Sequence, residues 1–223
     1  AQAASEYALQ LAPDRVENLV WFAGMMVALN ERSRAADAYE CAIELDPFQA
    51  DLRIRLAQLQ VGAGNMAAAN ACLAALSDLP DVSSTDLRQA AHTYLRMENP
   101  VAALACLERS IAVDVGHQVQ PGMDVWFETA RLHEQANHLE TALEMTQQAL
   151  STPVDAARLE SLPVYLMQAD LLARLGRSQA ALAALEKSLL AVPADVNLVA
   201  LDAGMKQTLS QIHQAFTQRL LES

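Results

Sequence analysis

The chain has 223 residues, 52% apolar, 19% charged and 4% aromatic, with 7 Gly and 8 Pro, which excludes disorder, collagen and a disulfide-stapled miniprotein. Fifteen Lys and Arg against 27 Asp and Glu leave a net charge of -12, which repels a phosphate backbone and argues against nonspecific nucleic-acid binding. No apolar run reaches the roughly 20 residues that a bilayer-spanning helix requires, and no cationic stretch followed by an apolar core opens the sequence.

Scarce Gly and abundant Ala and Leu predict helices, and an internal period orders them. Ala23, Ala57, Ala91, Ala130 and Ala169 are separated by steps of 34, 34, 39 and 39. The same steps connect Ala35, Ala69, Ala103, Ala142 and Ala181, and also Ala8, Ala42, Leu76, Ser110, Ala149 and Ser188. In chain order, residues 1–12 read as a lone second helix of a pair, which predicts either that the natural polypeptide extends upstream or that this helix has another cover. Five helix pairs follow, at 15–47, 49–80, 84–114, 122–152 and 160–193. In the first, helices at roughly 15–29 and 33–46 are joined by Asn30-Glu31-Arg32. Later turns fall at Gly62 to Asn65, Glu98-Asn99-Pro100, Ala136-Asn137-His138 and Gly176-Arg177. Pro13, Pro47 and Pro193 punctuate the pairs, because a residue without N–H cannot extend a helix. Extra residues enter at Val115 to Gly122 and Ser151 to Ser161, where loops are expected.

Past the pairs, Leu198, Leu201, Met205, Leu209, Ile212, Phe216 and Leu220 recur in steps of three and four, predicting a C-terminal helix over 195–221. Its first half would seal the last pair, and its length leaves room for self-association. The small residues permit close backbone approach between helices. Leu19, Leu87, Trp126 and Tyr165, with Tyr39, Leu73, Leu107 and Leu185, are assigned to the core around them.

The pattern resembles the tetratricopeptide repeat family over nearly the whole chain. Its best unit is Ala35-x-x-x-Tyr39-x-x-Ala42-x-x-x-x-Pro47 preceded by Leu19-x-x-x-Ala23, and the family's Trp stands in register at Trp126. Arg53 and Gln60 depart from it, taking positions where the family prefers large apolar residues. The resemblance implies an all-α fold, a right-handed α-solenoid of stacked helix-turn-helix repeats with a C-terminal capping helix.

Catalytic signatures are missing from the sequence: neither G-x-x-x-x-G-K-[ST], G-x-G-x-x-G nor G-x-S-x-G occurs. His133 and His138 are five residues apart rather than four, which on a continuous helix places their rings on different faces, so no metal site is assigned. No cofactor is implied, and the chain is expected not to be an enzyme. Cys41, Cys72 and Cys106 cannot all pair internally and are read as free buried thiols of a reducing compartment. The expected location is cytoplasmic, or periplasmic if an upstream signal was removed.

In a stacked array the first helices line a concave groove, and register names the inward residues. They are Val20, Gly24 and Val27; Ile54, Gln58 and Val61; Arg88, His92 and Arg96; Phe127, Arg131 and Glu134; and Leu166, Asp170 and Arg174. Arg88, His92, Arg96 and Arg131 form a candidate strip for an acidic segment or terminal carboxylate of a partner. The alternative is that these cations are solvated or paired with neighbours such as Glu134 and Asp124. Val20, Trp21, Val27 and Val61 suggest an apolar stretch for a helix or an extended peptide, the alternative for Trp21 being that it packs against a helix upstream. The expected function is a non-catalytic protein-interaction scaffold. Its rivals are a recognition region of a larger glycosyltransferase- or sulfotransferase-type enzyme and a secretion or envelope assembly component.

Overall fold

The computed structural model describes residues 12, 14–152 and 161–190, and the segments predicted at 1–11 and 195–221 lie outside the described residues. Among the described residues, ten α-helices form five antiparallel hairpins. The first three are α1 (Val16–Ala28) with α2 (Arg32–Leu45), α3 (Ala50–Gly62) with α4 (Met66–Ala74), and α5 (Ser84–Arg96) with α6 (Pro100–Gly116). The last two are α7 (Met123–Gln135) with α8 (Leu139–Ser151), and α9 (Leu162–Arg174) with α10 (Ser178–Leu190). A 3₁₀ turn, Ala75–Asp78, follows α4. The chain divides into two compact units, Ala1–His117 with three hairpins and Gln118–Ser223 with two.

The periodic small residues are where the helices meet. Ala23, Ala57, Ala130, Ala35, Ala69, Ala103, Ala142 and Ala181 are fully enclosed, and Ala91 and Ala169 nearly so. With almost no exposed area, these sites leave little room for a larger side chain, which is why the residue type repeats. In the third series Ala42, Ser110, Ala149 and Ser188 are buried as well. Leu76, the one large member, falls in the 3₁₀ turn, where the α-helix has already ended. Leu19, Phe22, Met26 and Tyr39 fill the first core together with Leu52 and Leu56 of α3. Leu143, Leu171 and Leu172 do so in the second unit. Trp126, Tyr165 and Leu185, assigned to the core from sequence, are only half-buried. Buried hydroxyls are satisfied within their own helices, Thr93 donating to the Gln89 carbonyl at 2.8 Å and Thr129 to that of Val125 at 2.8 Å.

All five hairpin turns share one backbone device. Asn30, Gly64, Glu98, Asn137 and Gly176 have positive φ, at 62°, 83°, 56°, 61° and 77°. Their spacing repeats the steps of the small-residue series. In each turn the next N–H donates back across the helix end: Glu31 to Met26, Asn65 to Gln60, Asn99 to Tyr94, His138 to His133 and Arg177 to Leu172, over 2.8–3.0 Å. The left-handed residue itself donates to Val27, Val61, Leu95, Glu134 or Ala173. This paired reach closes the exposed carbonyls of every first helix in a Schellman arrangement.

Two expectations change. Val115 and Gly116 are helical, because α6 runs 17 residues to Gly116, so the loop begins only at His117. Arg53, standing where the family prefers a large apolar residue, is half-buried and sends Nη2 to the Pro47 carbonyl at 2.7 Å. Arginines also link consecutive hairpins inside each unit. Arg32 donates to the Gly62 carbonyl, Arg109 to the carbonyls of Leu76 and Leu79, and Arg177 to Glu140.

Candidate functional site

On α1, Trp21 and Val27 are 45% and 47% exposed. Between them lies Gly24, where an added Cβ would meet nothing within 4 Å. Two spacings of three gather these residues on one side of the helix. Val20, assigned to the same surface, is partly buried and packs against the first core, so it supports the patch from below. On α3, Val61 and Gln58 are half-buried, and Gln58 donates to Thr93 of α5 at 3.5 Å.

The register position three residues before each central alanine is less open than the sequence suggested. Ile54 is fully buried and Leu166 is 3% exposed, so neither reaches a ligand. α3 packs against α4 and α5, and α9 against α10 and the preceding α8, which leaves each a narrower outward stripe than a single hairpin would. The position just after the alanine is more open, with Gly24, His92 and Arg131 exposed and Gln58 and Asp170 half-buried.

The cationic strip separates into two groups. Arg88 is held structurally: Nη1 donates to Asp114 Oδ2 at 3.0 Å and Nη2 to Thr85 Oγ1 at 3.3 Å. The Asp114 side chain is 10% exposed, and the pair ties the start of α5 to the last turn of α6. Arg174 donates to Glu134 Oε1 at 2.6 Å and to Asp170 Oδ2 at 3.4 Å, which joins α9 to α7 and uses Glu134 as well. Arg96 and Arg131 remain exposed with no ion pair among the described residues. His92 is exposed beside Arg96 on α5.

The two histidines are closer than a helical wheel implies. His138 caps the start of α8 after Asn137 reverses the chain, which sets its ring centroid 5.9 Å from that of buried His133. Among the described residues no group of three or more His, Cys, Asp or Glu is arranged to hold a metal ion. Cys72 and Cys106 are half-buried, and desolvation pushes both thiols up from their ordinary range. Cys41, read from sequence as buried, is exposed, because it lies on the outer side of α2 with Asp37 and Glu44. Among the described residues no helix is long and apolar enough to cross a membrane.

Residues 88–157 and 162–194 each match a family model described as Tetratricopeptide repeat. No curated protein sequence matches the chain. Among solved structures, YrrB, described as a TPR protein with an unusual peptide-binding site, is similar with TM-score 0.63 at 17% identity, covering 87% of this chain and 95% of its own. MamA gives TM-score 0.60 at 15% identity, covering 79% and 91% of the two chains. PilF of Pseudomonas aeruginosa gives 0.58 at 14%, covering 92% and 85%. At these identities the likeness is one of fold, and it agrees with the helical hairpins, the enclosed alanines and the repeated turns. Among the described residues the fold is all-helical, its solved neighbours are TPR proteins, and the stretches 88–157 and 162–194 are tetratricopeptide repeats.

Proposed function

We propose that the chain is a non-catalytic interaction scaffold that receives a partner peptide or helix on the outward faces of its first helices. The observation that carries this reading is the α1 face, where Trp21 and Val27 lie exposed on either side of an open glycine. An exposed Trp on a repeat surface supplies a large apolar area, of the kind that dominates binding when it is covered. Exposed Arg96 and Arg131 add charge-assisted donors for carboxylates, with Arg131 serving the second unit by itself. Peptide recognition named for YrrB is consistent with such a role, carried over by likeness of fold alone.

The reading is tested by selecting binders from a displayed peptide library and then measuring them against variants. Selected peptides should lose binding to Trp21→Asp and Arg96→Glu chains and keep it for Glu40→Lys on the outer side of α2. Binding that ignores the first two substitutions refutes the assignment. We further propose that residues 1–12 are the second helix of a partial repeat, that 195–221 caps the last repeat, and that the apolar stripe from Leu198 to Leu220 supports self-association. Sedimentation of a chain ending near residue 204 tests the last point, because an unchanged mass argues against it.

A further inference from the structure

The first unit presents two chemically different surfaces from one register. Gly24 on α1 and His92 on α5 are equivalent residues two repeats apart, and Arg96 stands one turn beyond His92, at the equivalent of Ala28. The α1 position is an apolar notch: open space over Gly24, with Trp21 and Val27 exposed on either side. A glycine inside a helix weakens it, and here no neighbour of the described structure occupies the room gained. The α5 position is cationic through exposed Arg96. Between them α3 offers half-buried Gln58 and Val61.

Resting on the reading above, we infer that the first unit selects a peptide with two unlike ends: a bulky apolar side chain that fills the notch over Gly24 and a carboxylate that meets Arg96. The separation of the ends follows from packing. Neighbouring helices lie roughly 8–10 Å apart, so two steps from α1 to α5 span about 16–20 Å. An extended chain rises about 3.3 Å per residue, which places the apolar and acidic residues about six positions apart. A wholly acidic segment would leave the notch unfilled in a chain that already carries a net charge of -12, and a wholly apolar one would leave Arg96 unanswered.

The test uses synthetic peptides with a Leu-Phe end and an Asp-Glu end joined by six Ser and Ala residues. Controls replace either end by Ser or shorten the joint to one residue, and binding is followed by fluorescence anisotropy. The two-ended peptide should bind at least tenfold more tightly than any control, and added salt should weaken it selectively. Arg96→Glu should reduce it to the level of the apolar-only control. Gly24→Leu should reduce it to the level of the acidic-only control while raising the thermal midpoint, which separates loss of the notch from loss of fold. Equal binding of the two-ended and acidic-only peptides, or indifference to Gly24→Leu, overturns the inference. If library-selected peptides of other composition still depend on Trp21 and Arg96, the binding surface stands and its two-ended selectivity fails. If no peptide depends on them, both fail.

Discussion

Glu98 is the least suited of the five left-handed turn residues, and replacing it isolates the contribution of the turn. Its φ is 56°, and its exposed side chain makes no hydrogen bond or ion pair among the described residues. An L-residue in this conformation costs about 1–2 kcal/mol, whereas glycine adopts it freely. Glycine also gains freedom in the unfolded chain, which offsets about 0.5–1 kcal/mol. Removing the carboxylate relieves the negative end of α5 but withdraws it from the start of α6, and these opposite effects of a few tenths of a kcal/mol nearly cancel. Glu98→Gly should therefore stabilise the first unit by about 0.5–1 kcal/mol, or about 1–4 °C in thermal midpoint. Repeat arrays can unfold in parts, so the assay is urea unfolding by circular dichroism combined with amide exchange of the Asn99 N–H that bonds Tyr94. Exchange at that amide should slow. Glu98→Ala serves as the control, since it removes the charge but keeps the unfavourable dihedral. A destabilised Glu98→Gly chain, or an equal gain from Glu98→Ala, would show that the left-handed backbone at Glu98 carries no such cost.

Replacing Gly64 or Gly176 by Ala should cost about 1 kcal/mol each in the same urea assay, because both have positive φ and open space around the missing Cβ. Asp114→Ala strands the partly enclosed Arg88 guanidinium and should cost about 1–2 kcal/mol after allowance for its exposure, with most of the loss recovered when Arg88→Met is added. Ala103→Leu, at a site with no exposed area, should lower stability by about 1–3 kcal/mol or more in thermal unfolding. Titration with a thiol reagent at neutral pH should modify Cys41 first and Cys72 and Cys106 slowly. Burial raises the latter two thiols, so their contribution to stability is intact below the ordinary thiol range and is lost as pH rises through the raised values. A Cys72→Ala, Cys106→Ala chain should show a shallower alkaline decline in unfolding free energy.

The repeat could be read from sequence because its alanines answer a steric demand that recurs at fixed steps, and burial at Ala23, Ala35 and their equivalents follows directly. The turn series was hidden in the same steps. Glu98 disguised it, since glutamate gives no hint of a left-handed backbone, while Gly64, Gly176 and the two asparagines do. Site residues were less legible. Spacing placed Arg88 and Arg96 on one face of a helix, but it could not reveal that Asp114, from a turn added to α6, would occupy Arg88 alone. Likewise Glu134 pairs across to Arg174 rather than within α7. Ile54 and Leu166 were misplaced because the exposed stripe of a helix narrows once a second hairpin packs against it. His138 was misplaced because wheel geometry ends where Asn137 turns the chain.

If partners meet the outward faces of the first helices, photo-crosslinking locates that contact directly. A benzophenone side chain placed at position 92 on α5 should crosslink a bound library-selected peptide, and one at position 40 on the outer side of α2 should not. Efficient crosslinking from position 40 with none from position 92 would contradict it.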